Sequence, residues 1–244
     1  MQTSKTFPRS YIILLLFLVG CVALLIGLGI GYLVNPNNGK NLPPPAPIAL
    51  NQFTLLLSQP VPVSNVSLTT HYEGKFTSNN FNQHWTFLFF GYTYCPDICP
   101  VTLNVLNQVY KLLEDKEGVL SNTQFIFVSV DPERDNTTQL GEYLSYFNRK
   151  FIGVTGNKDQ IKALSQPLGI AYYRVLNESG YLINHSASIL LIDPLGRLRA
   201  NFLPPHTPSD IAEDFLKIRE FYAEECCALP GPPKRTFIKG RETL

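Results

Sequence analysis

An apolar run that ends in two cysteines constrains the fold of this chain more than any other segment. Residues 84–94 read HWTFLFFGYTY, which is the aromatic, β-favouring composition of a strand buried on both faces. Cys95 and Cys99 follow this run, and Val101–Lys116 then places apolar residues at the spacing of an amphipathic helix. In open α/β sheets, reactive groups collect where strands end and helices begin. Position alone therefore makes both cysteines candidate functional residues.

The segment from Phe53 to Glu225 repeats this alternation of strand and helix patterns. Further strands are predicted at residues 125–131, 151–156, 170–176, 186–193 and 198–203, and further helices at 137–148, at 158–168 and after Thr207. The last two strands are joined across the turn Pro194–Gly196 and form a closing hairpin. This order predicts an α/β domain over residues 51–225, with a mixed central sheet and helices on both faces.

A long uncharged segment near the N-terminus predicts a membrane anchor. Tyr11–Val34 contains 24 residues without a charged side chain, and about 20 helical residues suffice to cross a bilayer. Lys5 and Arg9 precede this run, so the positive-inside tendency places the N-terminus in the cytoplasm. The run is longer than the apolar core of a cleaved signal peptide. So short an N-terminus suits a bacterial inner-membrane protein whose globular domain faces the periplasm.

The predicted layout has five parts, and parts of it leave alternatives open. The parts are a cytoplasmic N-terminus (1–10), a transmembrane signal anchor (11–34), a Pro/Asn-rich linker (35–50), the folded domain (51–225) and a flexible C-terminal tail (226–244). LVGC at residues 18–21 resembles a lipoprotein cleavage box, which would make Cys21 a lipidated N-terminus. Gly27 and Gly31 have the G-x-x-x-G spacing that pairs some membrane helices. For Cys226 and Cys227 three interpretations stay open: an additional metal-binding pair, an intermolecular disulfide or part of a functionally inert tail.

The cysteine pair has three possible interpretations: a redox couple, a structural disulfide or two ligands of one metal ion. A helix N-terminus favours thiolate over thiol, and thiolate is the form that both redox exchange and metal binding require. A disulfide between Cys95 and Cys99 would close a short loop and so would stabilise the fold weakly. The spacing is C-x-x-x-C, whereas the thioredoxin-type redox motif is C-x-x-C. The extra residue puts both sulfurs on one helical face, where they could bind one ion together.

A third ligand is needed to complete a soft-metal site, and His185 is the best placed histidine. It stands just before the predicted core strand 186–193, in a loop between two strands, where it could overhang the cysteine turn. Of the other histidines, His71 lies in a polar turn, His84 starts the predicted strand and His206 stands just before a helix cap. All three are interpreted as surface residues rather than ligands. Two thiolates and one imidazole suit low-coordinate Cu(I) and leave room for the ion to be passed on.

Composition argues against several other classes of protein. Twenty basic and nineteen acidic residues give a net charge of +1, which argues against a nucleic-acid-binding protein. Met1 is the single methionine, so a blue-copper site with an axial thioether is not expected. Leu103 stands four residues after Cys99, where the dinuclear copper site of an oxidase subunit would need histidine. A closed structural zinc site would need a fourth ligand.

Three ordered motifs resemble those of the Sco/SenC family of copper-binding, thioredoxin-fold proteins. The cysteine segment reads FGYTYCPDICP (residues 90–100), the second motif VSVDPERD (128–135) and the histidine segment HSASILLIDPLGRL (185–198). The resemblance covers about residues 53–221 and extends to the FIGVTG segment and the N-terminal anchor.

The resemblance implies a specific function for the chain. It implies that Cys95, Cys99 and His185 bind copper as Cu(I) and Cu(II). It also implies delivery of copper to the dinuclear copper site in subunit II of cytochrome c oxidase, with other periplasmic copper chaperones as partners. Alternatively, the same cysteines act as a thiol–disulfide reductase for that site, served by a thiol reductant. A β-hairpin insertion at Tyr172–Ile183 is implied as well.

Three further residues are candidates for a supporting role around the metal. Asp97, between the cysteines, could tune their thiolates or could be a turn-forming residue. Asp131 could accept a hydrogen bond from a ligand or supply a weak oxygen ligand, or it could hold its loop together with Arg134. Asn184 precedes the metal histidine at a position where the family commonly has Asp, so it could orient the imidazole without adding charge.

Overall fold

The computed structural model describes residues 18–27, 48–178 and 180–228, which belong to two units divided between Pro47 and Ile48. Residues 18–27 form a helix, α1, inside the predicted anchor. The remainder of the predicted anchor and most of the predicted linker and tail lie outside the described residues. Within the described ranges, no helix has both the length and the apolar character that a membrane span requires.

The second unit is built of ten strands and four helices over its described residues. The strands are β1 Thr54–Pro62, β2 Ser67–Thr70, β3 Lys75–Thr77, β4 Trp85–Gly91, β5 Thr123–Ser129, β6 Ile152–Thr155, β7 Tyr172–Asn177, β8 Gly180–His185, β9 Ile189–Ile192 and β10 Arg197–Phe202. The helices are α2 Ile98–Glu114, α3 Thr137–Ser145, α4 Lys158–Ser165 and α5 Pro208–Ala228.

Eight of these strands form one mixed sheet in the order β1-β10-β9-β4-β5-β6-β2-β3. At its centre β4 pairs in parallel with β5, with Phe87 opposite Phe125, and β5 pairs in parallel with β6. On the other side β4 pairs antiparallel with β9, which pairs antiparallel with β10. The predicted thioredoxin-like fold with a mixed central sheet is confirmed. The cysteine turn therefore leaves the middle of the sheet.

The core forms because β4 has no solvent-facing side. All seven of its residues are buried, as its uninterrupted apolar composition predicts. Ring contacts join one face of β4 and β5 to three helices: Phe87 packs with Phe215 of α5, Phe125 with a ring of α2, and Phe127 with Tyr143 of α3. These aromatic contacts hold α2, α3 and α5 against the same face of the central strands.

The sequence patterns did not predict β1, β2 and β3. The outermost strand β1 pairs only with β10 among the described residues, and it contains Pro60 and Pro62, which a central strand would not tolerate. The sequence of β1, TLLLSQPVP, does not alternate apolar and polar residues as a half-buried strand does. The strand could therefore not be recognised from its sequence. Helix α2 begins at Ile98 rather than Val101, and α5 continues to Ala228, past the predicted start of the tail.

The hairpin of β7 and β8 is a two-stranded sheet of its own and does not pair with the eight-stranded sheet. The hairpin was implied for Tyr172–Ile183, and the structure extends it to His185, which pairs with Tyr172. The histidine was expected in a loop and instead ends strand β8. The loop begins only after it, so backbone pairing fixes the direction in which His185 leaves the strand.

Candidate metal centre

The two cysteines lie in the connection between β4 and α2. The main-chain N–H of Cys95 donates to the carbonyl of Tyr92 at 3.2 Å, which closes the turn after the strand. Asp97 is the N-cap of α2, and this places Cys99 in the first helical turn. Cys95 is 9 % exposed and Cys99 is fully buried. The two sulfurs are not joined in a disulfide.

His185 completes a group of three possible ligand atoms. Its Nε2 lies 3.2 Å from the Sγ of Cys99 and 3.8 Å from the Sγ of Cys95. These three atoms lie within 4.8 Å of one another, and no other histidine, cysteine or acidic side chain joins them in the described ranges. Two thiol sulfurs and an imidazole nitrogen are soft to intermediate donors, a set that fits Cu(I). The residues that the sequence separates by about ninety positions thus converge on one point.

The imidazole of His185 is oriented by its own strand end. Its Nδ1 lies 3.0 Å from the carbonyl oxygen of Ser186, an arrangement in which Nδ1–H donates and Nε2 keeps its lone pair for the thiols or a metal. The rings of Phe89 and Tyr92 contact the imidazole edge-on, each with 5.9 Å between ring centroids. The hydrogen bond and the two rings together leave the ring little freedom to turn.

Gly91 is required by the close approach of Cys99. A Cβ at this position would lie 2.6 Å from the Sγ of Cys99 and 2.7 Å from Cε2 of Phe127. Both neighbours are buried in the core, so neither can move aside without repacking. The last residue of β4 therefore lacks a side chain because the sulfur occupies that space.

The two thiols have opposite acidities. Hydrogen bonding from the Cys99 thiol, assisted by main-chain N–H groups, lowers the pKa of Cys95 to about 4. Burial, together with the neighbouring Cys95 thiolate, raises the pKa of Cys99 above its usual range. In the metal-free state the pair thus holds one negative charge, on the more accessible sulfur. A thiophilic cation that binds would displace the remaining proton.

The three candidate supporting residues do not converge on the metal centre. Asp97 is exposed, and its side chain makes no capping hydrogen bond. Asp131 is fully buried, but its carboxylate accepts from Arg134 and Tyr181 rather than facing the three ligand atoms. The amide of Asn184 donates to the hydroxyl of Tyr173 at 3.0 Å. The observed hydrogen bonds of Asp131 match the alternative in which it holds its loop.

Two polar residues next to the cysteines make contacts that the sequence did not predict. The hydroxyl of Tyr92 accepts from the main-chain N–H of Ile183 on β8 at 3.1 Å. The buried carboxylate of Asp135 accepts from Thr93 N–H and Oγ1, at 2.9 and 2.6 Å, and from Ser129 Oγ at 2.6 Å. Burial raises the pKa of Asp135 despite these bonds. Neither contact has a sequence signal, because each joins segments that are distant along the chain.

The remaining histidines are engaged elsewhere. The Nδ1 of His71 accepts from the N–H of Gly153 at 2.9 Å, and burial lowers the pKa of this histidine. His206 uses its Nε2 to bind the carbonyl of Ala187 at 2.7 Å. Both are partly buried and structural, whereas they were predicted to be surface residues. Within the described part of the chain, His185 alone supplies an imidazole to the cysteines.

Comparison with known proteins gives a consistent result. The SCO1/SenC family model matches residues 60–220. A "SCO2-like protein" of Rickettsia felis is 36 % identical over 146 residues, which cover 58 % of this chain and 69 % of the relative. The solved structure of Arabidopsis thaliana ScoI with copper bound is 32 % identical, with a TM-score of 0.62, over 66 % of this chain and 99 % of that one. Bradyrhizobium japonicum ScoI with copper bound is 29 % identical with a TM-score of 0.59, over 65 % and 99 % of the two chains.

Proposed function

The chain belongs to the SCO1/SenC family, and from this premise we propose that it is a membrane-anchored copper chaperone. Its cargo is copper, and its recipient is the dinuclear copper site in subunit II of cytochrome c oxidase. The observation that carries the proposal is the convergence of Cys95, Cys99 and His185 to within 4.8 Å. Two relatives with solved structures hold copper on the same fold, which supports copper as the ion.

The donor set explains how this chain would hold copper in two oxidation states. Two thiolates more than balance the single charge of Cu(I) and satisfy its preference for soft ligands and low coordination. The imidazole of His185 adds the harder nitrogen that Cu(II) prefers. Cys99 is fully buried, whereas Cys95 retains some exposure. An incoming ligand from a partner can therefore reach the metal from the Cys95 side.

The surface around the cysteine turn suits a protein partner. Tyr94, Ile98 and Val101 flank the cysteines and are 53 %, 38 % and 58 % exposed. Large apolar side chains grouped at a functional site are typical of a protein contact surface. A partner that covers them would also exclude water during transfer. Subunit II of the oxidase and other periplasmic copper chaperones are the proposed partners.

Anchoring and localisation follow from the N-terminal sequence. We propose that residues 11–34 hold the chain in the bacterial inner membrane, with residues 35–50 as a semi-rigid spacer and the folded domain in the periplasm. The alternative lipid anchor at Cys21 would leave the domain on the same side of the membrane. Tethering would keep the domain close to a membrane-embedded oxidase and raise its effective concentration there.

A thiol–disulfide reductase is the second candidate function, favoured by the unequal pKa values of the two thiols. The Cys95 thiolate would attack a disulfide in a partner and form a mixed disulfide. The Cys99 thiol, after losing its proton, would then attack the sulfur of Cys95 and release the partner as a dithiol. The partner gains two electrons and the pair becomes a disulfide, so an external thiol reductant must restore it.

The first experiment separates these two functions at His185. In the His185→Ala variant we expect copper affinity to fall by about 10-fold or more, because one of three ligands is lost. The rate at which the variant reduces a model disulfide should change little. His84→Ala is the matched control, since His84 is engaged with the carbonyl of Asn82 and not with the cysteines.

The outcome is measured as Cu(I) affinity in competition with a chromophoric chelator. Unchanged affinity in His185→Ala would remove the histidine from the copper site. To distinguish delivery from reduction, copper-loaded chain is mixed with the reduced apo copper domain of oxidase subunit II, and metal-free chain is mixed with the disulfide form of that domain. Transfer of metal in the first mixture without oxidation of Cys95 and Cys99 supports the chaperone. Oxidation of Cys95 and Cys99 in the second mixture, with reduction of the partner disulfide, supports the reductase.

A further inference from the structure

The guanidinium of Arg134 joins two segments that meet at the metal centre. Its Nε donates to the carboxylate of Asp131 at 2.5 Å, and its Nη1 donates to the main-chain carbonyl of Tyr181 at 3.1 Å. Asp131 follows β5 in the eight-stranded sheet, whereas Tyr181 lies on β8, the strand that ends at His185. One planar group thus connects the eight-stranded sheet, from which the cysteine turn leaves, with the hairpin that ends in His185.

The same guanidinium also lies against the cysteine turn. Its central carbon is 3.8 Å from the ring centroid of Tyr181, 4.9 Å from that of Tyr94 and 5.6 Å from that of Tyr92. Tyr94 immediately precedes Cys95. Stacking of arginine on aromatic rings uses the flat face of the guanidinium and leaves its edge free for hydrogen bonds. Arg134 uses its flat face for the tyrosine rings and its edge for hydrogen bonds. It therefore contacts the cysteine turn, the loop after β5 and strand β8.

A second set of contacts strengthens the link to the hairpin. The hydroxyl of Tyr181 donates to Oδ1 of Asp131 at 2.8 Å, and Nη2 of Arg174 on β7 lies 2.6 Å from Oε2 of Glu133. Asp131 is fully buried, and charge-assisted hydrogen bonds to a buried carboxylate are strong and directional. The latch is defined here as these five residues: Asp131, Glu133, Arg134, Arg174 and Tyr181.

The latch matters because the hairpin shares no strand pairing with the eight-stranded sheet. Backbone hydrogen bonds of a ladder therefore do not set the distance between His185 and the cysteines. That distance depends on side-chain contacts: the latch, the packing of buried Ile183, and the bond from Ile183 N–H to Tyr92. Of these, Arg134 contacts both the cysteine turn and the histidine strand.

We propose that Arg134 is a positioning residue for the metal centre, which holds His185 at the cysteines through Asp131 and Tyr181. This inference rests on the proposed function, since it assigns Arg134 a role in completing the copper site. The fork of Arg134 reaches a carboxylate and a carbonyl at once. Lysine has a single ammonium and cannot reproduce this geometry, although it keeps the charge.

The test uses the full-length chain in detergent with Arg134→Lys and Tyr181→Phe variants. We expect Cu(I) affinity to fall about 10-fold in each, as for other residues that orient a metal ligand. The nitrogen hyperfine coupling in the electron paramagnetic resonance spectrum of the Cu(II) form should weaken toward that of His185→Ala. A purely structural role would lower the melting temperature without moving this spectrum.

Matched controls are Arg149→Lys and Tyr146→Phe, because both side chains are exposed and lie outside the latch. Wild-type affinity and hyperfine coupling in folded Arg134→Lys would overturn the inference. If that variant does not fold, Asp131→Asn decides, because it removes the charged partner of the Arg134 guanidinium and nearly keeps the shape of the side chain. Wild-type affinity and hyperfine coupling in Asp131→Asn would then overturn the inference. If the wild-type chain itself binds no copper, the proposed function fails, which is distinguishable from wild-type binding that the variants leave intact.

Discussion

Cys95 and Cys99 differ chemically although one helical turn separates them. One is reachable from solvent and carries the lowered pKa, and the other is fully buried with a raised pKa. The sequence predicted that both thiols would act together, from their spacing and their place at a helix start. It could not predict which would ionise, because that depends on burial and on the position of His185. The role of Gly91 could not be predicted either, since this glycine leaves space for the sulfur of Cys99, eight residues later in the chain.

The first residue-scale prediction concerns the acidity of Cys95. Its pKa is lowered from 9.0 to about 4, so its ionisation favours the folded state above pH 9 and this contribution is lost as the pH falls through 4. Labelling of Cys95 by iodoacetamide should therefore be nearly constant between about pH 5 and pH 8, where an ordinary thiol of pKa about 8.5 gains about tenfold per pH unit. Peptide mass spectrometry measures this rate. A tenfold rise per unit at Cys95 would contradict the assignment.

The second residue-scale prediction concerns Gly91→Ala. The added Cβ meets the Cys99 sulfur and Phe127, so we expect a loss of about 1–3 kcal/mol in the free energy of unfolding. Copper affinity should fall as well, because the sulfur has to move. Gly118→Ala is the control: it strains a backbone with φ of +72° but contacts nothing within 4 Å. It should lose stability and keep its copper affinity. Normal copper binding in Gly91→Ala would refute the steric argument.

At the scale of elements, the outer strand β1 is held by a helix as well as by its pairing with β10. Buried Asp214 of α5 accepts from Thr54 Oγ1 at 2.6 Å and from Asn51 N–H at 2.9 Å. This arrangement could not be predicted, because β1 carries no periodic pattern and its partner lies 160 residues away. The central elements β4, α2 and β5 were predictable because their apolar patterns are long and uninterrupted.

The element-scale prediction tests this link with Asp214→Ala. Removing the carboxylate leaves the hydroxyl of Thr54 and the N–H of Asn51 without their acceptor, so unfolding should require about 1–3 kcal/mol less free energy. Urea denaturation followed by circular dichroism measures the change. Glu213→Ala is the control, because the Glu213 side chain is 67 % exposed and its ion pair with Lys217 contributes little. Equal effects of the two substitutions would show that Asp214 does not fasten the strand.

At the scale of the whole molecule, the fold was predictable as a class and the site as a set of residues. The thioredoxin-like fold and the three ligand positions follow from ordered motifs that resemble one family. Apart from the pair of Asp131 and Arg134, the latch was not predictable, because its members come from the loop after β5 and from β7 and β8 and meet only in the folded chain. The same is true of Asn184, whose amide bonds to Tyr173 instead of the imidazole beside it.

The proposed ligands lie in the connection between β4 and α2, in α2 and on strand β8, so an ion that joins them makes stability a second readout of copper binding. An ion that binds only the folded chain stabilises it by about 2.7 kcal/mol at a free concentration 100 times its dissociation constant. We expect Cu(I) to raise the melting temperature of the reduced chain in a concentration-dependent way. A Cys95→Ser/Cys99→Ser double variant serves as the control and should not respond. An equal rise in this variant would place the bound copper elsewhere.

Under the proposed function, the hairpin of β7 and β8 also shapes the kinetics with which copper leaves. Cys95 and Cys99 lie in the connection between β4 and α2 and at the start of α2, whereas His185 lies in a small sheet that is held by side-chain contacts. Moving His185 away from the metal would break a few side-chain contacts of the hairpin, whereas moving either cysteine would disturb the start of α2. Release of the ion therefore begins with a low barrier, at the imidazole, and continues over higher barriers at the two sulfurs. Lifting of the hairpin is then the fast first step, and breaking the bonds to the sulfurs limits how fast the ion can be exchanged.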